Sequence, residues 1–218
     1  MKTTVLLATA ALVTIASAVA AQAVPTIPAG VPAVFLPVQE TRPTAGGAWL
    51  AGSVTDDEAI ALLDAELAFA FGEERGADSW AMPEDVKARL ERNPMLKVNA
   101  TQLAYHGLLA PPRDDILQIY EPLHTQLRQI AALFDARIVV LPLASYYVPP
   151  TEEEKEAALE AGSEEPLMGH AVLLTAVIDI RRSAVLWHGA IPGGRAEATS
   201  RAVLTTLAIE AAKWLAPS

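Results

Sequence analysis

Two β-prone runs, His170 to Ile180 and Ala184 to Ile191, are separated only by Arg181-Arg182-Ser183. Three residues cannot carry a crossover, so the runs pair antiparallel as a hairpin. The turn has no Gly or Asn for the left-handed residue that tight hairpins favour. If Arg181 opposes Ala184, then His188 opposes Val177 and His170 opposes Arg195.

The hairpin must join whatever the rest of the chain supplies. Val34-Phe35-Leu36-Pro37-Val38 is a first strand, with Pro37 marking an edge position or a strand end. Thr55 and Glu58 form a capping box that opens a helix over 56–73. Its Ile60, Leu63, Leu67, Ala70 and Phe71 share one face, with Asp64 and Glu66 outside it and Gly72 or Gly76 as the stop. A short strand over 78–82 precedes Pro83 and a polar helix from Glu84 to Arg92, while 95–112 stays ambiguous.

Asp114-Asp115 starts a helix that runs through Ile119, Leu123, Leu127 and Ile130, with Pro122 kinking it or opening its second half. Arg137 to Val148 is a strand, buried in its first half. Thr151 and Glu154 cap a helix in the acidic insertion 151–166, Gly162 suits its end, and the helix projects into solvent. After a turn at Pro192-Gly193-Gly194 the closing helix spans Ala196 to Leu215. The fold class is therefore α/β, with α+β character. A mixed β-sheet of about 4–5 strands is flanked by helices and ends in a C-terminal β-hairpin followed by a helix.

Before Glu40 the only charge is Lys2. Behind it lie the apolar run Val5 to Ile15 and the small residues Ala21-Gln22-Ala23, the three parts of a secretory signal peptide. Cleavage is expected after Ala23, or at the earlier Ala18-Val19-Ala20. The alternative is an uncleaved anchor, for which Val5 to Val24 is nominally long enough. The organisation is thus 1–23 leader or anchor, 24–53 Pro-rich linker and first strand, and 54–218 a single globular α/β domain. Localisation follows as periplasmic or secreted, or membrane-anchored and facing the periplasm.

Composition removes several classes of function. The 218 residues are 52% hydrophobic and carry a net charge of −10, which argues against nucleic acid as a partner. Zero cysteines exclude disulfides, thiolate metal sites, cysteine nucleophiles and a lipid-bearing cysteine.

The segment Val177-Ile178-Asp179-Ile180-Arg181-Arg182-Ser183-Ala184-Val185-Leu186-Trp187-His188-Gly189 resembles one that recurs in bacterial periplasmic domains. There a hydrophobic strand ends in Asp, a short turn follows, and an aliphatic strand ends in Trp. Such domains include the TolB amino-terminal domain and the curli-secretion and penicillin-binding-protein-activator lipoproteins. Val34-Phe35-Leu36-Pro37-Val38 is similar to their first strand, and Arg137-Ile138-Val139-Val140-Leu141 follows a helix in the place of their central one. The resemblance implies a non-catalytic domain that binds other envelope proteins. It departs from the lipoproteins in lacking their acylated cysteine, and the usual turn glycine is replaced around Ser183.

No residue announces itself as catalytic, cofactor-binding or metal-binding. His106, His124, His170 and His188 lack metal-pair spacing, and no G-x-S-x-G elbow surrounds Ser145, Ser183 or Ser200. Asp56-Asp57-Glu58 and Asp114-Asp115 sit at helix starts, where capping accounts for them; Glu164-Glu165 makes a third acidic cluster. Pro192-Gly193-Gly194-Arg195 reads as a turn, with an anion cradle as the sharper alternative. Tyr146 and Tyr147, at a strand end beside Pro149-Pro150, are the candidate partner-binding residues. The expectation is an exported, non-enzymatic interaction or assembly module whose partner is another envelope or membrane protein. One alternative is an anchored accessory subunit of a membrane complex, touching the membrane only through 1–23. Another is a hydrolase with an unrecognised site.

Overall fold

Alternate side chains of the strand Ile138–Val148 divide between two apolar layers. Ile138 and Val140 enter one, while Val139, Leu141 and Leu143 enter the other. That period of two, with both faces apolar, is what a strand in the middle of a helix-covered sheet requires. The computed structural model describes residues 27–28, 30–42, 54–74, 79–109, 118–162 and 167–216. Its strands are β1 (Ala33–Phe35), β2 (Thr41–Arg42), β3 (Trp80–Ala81), β4 (Ile138–Val148), β5 (His170–Asp179) and β6 (Ala184–Arg195). Its helices are α1 (Asp56–Glu73), α2 (Pro83–Glu91), α3 (Leu123–Leu133), α4 (Glu152–Glu160) and α5 (Ala202–Leu215).

The sheet order is β3-β1-β4-β5-β6, with β2 also pairing β4. β1, β2 and β3 join parallel; β5 and β6 run antiparallel to their neighbours. α1 and α5 cover one face, through Leu63, Leu67, Phe71, Leu204, Leu207 and Ala211. α2, α3 and two 3-10 turns, Pro94–Leu96 and Tyr105–Leu108, cover the other. The mixed α/β architecture with its terminal hairpin and helix is therefore as the sequence implies. The leader over 1–23 and the acid pairs Asp114-Asp115 and Glu164-Glu165 lie outside the described residues.

Helix starts follow local chemistry. Both expected capping boxes form, at Thr55 with Glu58 and at Thr151 with Glu154, and Gly162 takes a left-handed φ of +69° after α4. α4 buries no residue, yet Arg195 Nη2 donates to Glu154 Oε1 (2.5 Å) and ties it to β6.

Several expectations are corrected. Of the two readings of Pro37, the strand end holds and the edge position does not: β1 stops at Phe35 and lies between β3 and β4. β4 is buried along nearly all its length, because β5 and the two helical layers cover its second half as well. No single helix runs through Pro122. Gln118 bridges Ala184, and the Ile119 N–H donates to the Ser183 carbonyl (3.4 Å), so this stretch pairs with the hairpin and α3 starts only after the proline.

Pro192-Gly193-Gly194 is no turn and no anion cradle but part of β6, and α5 begins at Ala202 rather than Ala196. The reason is packing. A Cβ on Gly193 would lie 2.9 Å from Leu207 Cα, so the glycines let α5 approach the strand closely.

The hairpin pairs Asp179 with Ala184 and Trp187 with Val177, so His188 opposes Ala176; His170 opposes Arg195 as expected. Register shifts at Val177/Ile178 and His170/Val172 account for the slippage. Ser183 itself takes the left-handed position, at φ 53°.

Candidate functional site

The two candidate tyrosines point to opposite faces, as successive strand residues must. Tyr147 is buried in the α1/α5 layer. Its hydroxyl donates to the Ala196 carbonyl (3.0 Å) and accepts from the Gly169 N–H (2.8 Å). It thereby joins the end of β4 to the chain entering β5 and the chain leaving β6. Gly169 is required there, since a Cβ would fall 2.2 Å from the Val148 carbonyl oxygen.

Tyr146 is half-buried and lies in register with Arg42 of β2. Burial pushes its pKa up. Nearby, Arg42 pairs with Glu40, and the Tyr105 hydroxyl donates to Glu40 Oε2 (2.5 Å). Burial favours a protonated Glu40, but the bonds from Tyr105 and Arg42 overrule it and hold the carboxyl low. Burial first, and then the bond to Glu40, push Tyr105 up to about 12. His106 stacks on the Tyr105 ring at 4.6 Å.

The histidines are dispersed. His188 Nε2–H donates to the Leu108 carbonyl (2.6 Å), and burial lowers its pKa. His170 is lowered by burial and by Arg195. Among the described residues no three His, Cys, Asp or Glu side chains gather in a metal-binding arrangement.

Among the described residues, His124 makes the one constellation with a catalytic look. Ser183 Oγ lies 2.8 Å from its Nε2, and Glu121 Oε1 lies 3.4 Å from its Nδ1. Acyl transfer also needs donors free to hold an oxyanion. Here the Arg181 and Arg182 N–H groups donate to Asp179 Oδ1 (3.0 and 3.2 Å), and the Ser183 N–H donates to the Ile180 carbonyl (3.4 Å). Glu121 is divided between His124 and Thr125, whose hydroxyl donates to it at 3.0 Å. The arrangement ties the hairpin tip to the start of α3.

Two buried carboxylates were not visible as such in the sequence. Asp179, at the end of β5, accepts from Arg137 Nε (2.9 Å) and Nη2 (2.7 Å) besides the two turn N–H groups. Asp64, placed by helical spacing outside the apolar face of α1, is in fact 2% exposed. It accepts the Val38 N–H (3.0 Å) and Lys87 Nζ (3.1 Å). β3 pairs β1 only at Ala33 and Val34, so beyond it the edge of the sheet would present unpaired backbone groups. Asp64 closes that edge at Val38. Gln39 secures the next step, donating to the Ala100 carbonyl (2.8 Å) and accepting the Leu103 N–H (3.0 Å). This edge is therefore not open for strand addition at those positions.

A cavity of about 370 Å³ lies between α2, β3 and the end of α3, lined by Trp80, Ala81, Asp85, Arg89, Arg92 and Phe134 among others. Sequence spacing marked α2 only as a short polar helix. Residues as far apart as Trp80 and Phe134 form one wall only after the sheet is assembled.

No family model and no curated protein matches the chain. Among solved structures, the LpoB C-terminal domain from Salmonella enterica aligns over 78% of this chain and 85% of its own length, at 12% identity and a TM-score of 0.38. The LpoB C-terminal domain from Escherichia coli aligns over 78% and 86%, at 12% identity and a TM-score of 0.34. At that level of overlap nothing of those proteins' role passes to this chain. Among the described residues no helix is long and apolar enough to cross a membrane.

Proposed function

We propose that this chain is an exported, non-enzymatic module that works by binding another envelope or membrane protein. The observation that carries the reading is where its polar groups are employed. Asp64, Asp179, Gln39, Tyr147 and the Ser183–His124 pair each hold backbone or join segments. The charged cavity beside α2, by contrast, presents two guanidiniums to solvent. Export is supported by the leader pattern of residues 1–23, and Tyr146, half-buried beside Arg42, stays a candidate contact.

The test is crosslinking in intact native cells followed by capture of the full-length chain under denaturing wash. A discrete crosslinked partner from the envelope fraction is expected, and the mature chain is expected to start at Val24. Recovery of the free monomer alone argues against a binding role. Retention of Met1 in a membrane fraction replaces export with anchoring. Labelling of Ser183 by a fluorophosphonate probe, abolished in His124→Ala, overturns the non-enzymatic reading in favour of a hydrolase.

A further inference from the structure

We propose that the cavity beside α2 and β3 is where the partner docks, and that it receives a carboxylate-bearing, extended segment of that partner protein. The proposal rests on the binding role above and names its site. Its first support is charge. The chain carries −10 overall, yet Arg89 and Arg92 converge on this one cavity. Neither has an ion-pair partner among the described residues, and of the four described arginines without one, Arg89, Arg92, Arg128 and Arg181, only these two share a cavity.

Geometry is the second support. The Arg89 guanidinium lies over the Phe134 ring, 5.0 Å from its centroid. That cation–π contact holds the guanidinium against the cavity wall, and its N–H groups can still grip a carboxylate by two parallel bonds. The end of a helix favours cations, which accounts for arginines at the end of α2 but not for one lying over an aromatic ring and both lining a cavity.

Two further features bear on the occupant. Asp85, the acid on the wall, accepts the Met82 N–H (3.2 Å) and closes the start of α2, so its charge is partly employed. β3 has two residues and no strand on its outer side among the described residues, which leaves an approach for an extended chain. A volume of about 370 Å³ accommodates one or two side chains rather than a folded surface.

The test uses the full mature chain and blocked tetraglutamate and tetraglutamine peptides, followed by NMR of the arginine Nε–H and tryptophan indole signals. Saturable shifts at Arg89, Arg92 and Trp80 with tetraglutamate, and none with tetraglutamine, are expected. Arg92→Gln, which leaves the Arg89–Phe134 contact in place, should weaken the interaction roughly tenfold without moving the melting temperature. Absent or non-saturating shifts overturn the proposal, as does equal binding by Arg92→Gln. Inorganic phosphate binding as tightly as the peptide also overturns it, by making this a small-anion site. In the crosslinking experiment, a partner retained by the Arg89→Gln/Arg92→Gln variant sinks the cavity while leaving the binding role intact. No partner for either protein sinks the binding role itself.

Discussion

Asp64 and Asp179 are both carboxylates sealed inside the same sheet, and they titrate in opposite directions. At Asp179, burial favours the protonated form, but Arg137 and the two turn N–H groups overrule it and hold the pKa below the usual carboxylate range. At Asp64, burial wins: one backbone N–H and the half-buried Lys87 do not compensate it, and the pKa is raised. Asp179 has a stacked set of donors because a hairpin turn points several N–H groups at one spot. Asp64 has few because it plugs a sheet edge, where the backbone offers it one N–H, that of Val38, beside the Lys87 ammonium. Two differences therefore act together: the protein encloses Asp64 more deeply than Asp179, which lies beside the exposed Arg137, and fewer donors converge on it.

The largest test of this contrast is removal of each group. Asp179→Ala leaves two turn N–H groups without their acceptor and frees the exposed Arg137 to water, and should cost about 2–4 kcal/mol, chiefly from the N–H groups, measured by chemical denaturation. Asp64→Ala orphans the Val38 N–H and should cost about 1–3 kcal/mol. A reversed order would break the donor-count argument.

The pH dependence sharpens it. The folded pKa of Asp179 lies below the unfolded value of about 3.9, so its contribution is complete above that pH and is lost as the pH falls through the lowered folded value. The folded pKa of Asp64 lies above the unfolded value. Its contribution is complete below about pH 3.9 and is lost as the pH rises through the raised folded value. Relative to wild type, Asp179→Asn should therefore become more destabilising from acid toward neutral pH, and Asp64→Asn less so. Equal slopes in urea midpoints across that range would contradict the contrast.

The smallest effect is expected at the turn that presents its N–H groups to Asp179. Ser183→Gly relieves the left-handed φ but loses the His124 contact and adds unfolded-state freedom. These terms are each about 1 kcal/mol, and the net change should stay within about 1 kcal/mol. A larger loss would mean that the bond to His124, rather than Asp179, fixes the hairpin tip.

Features governed by neighbours in sequence were legible. The boxes at Thr55 and Thr151, the strand through Ile138–Val148 and the hairpin over Val177 to Trp187 each depend on contacts a few residues apart or on a short turn. Features governed by what lies alongside were not. Pro192-Gly193-Gly194 has turn chemistry by itself, and only the close approach of α5 at Leu207 makes it strand. The stretch before Pro122 has helical spacing, but pairing with the hairpin at Ser183 and Ala184 outcompetes a helix there. At the candidate site, Tyr146 and Tyr147 could be named, but not the Gly169 and Ala196 groups that engage Tyr147, nor the convergence of Arg89 and Arg92 with Trp80 and Phe134.

By itself the sequence determined the fold class, the capped helices, the central strand and the terminal hairpin, the absence of cysteine chemistry and the solvated acidic helix, because these follow from composition, local hydrogen bonding and hydrophobic period. Tertiary structure alone decided that Asp64 turns inward, that β1 is interior and that the hairpin register slips. It also decided that two arginines from an ordinary polar helix line a cavity. A side chain's environment depends on which distant backbone stops short beside it, as β3 does beside Val38, and no spacing within one segment records that.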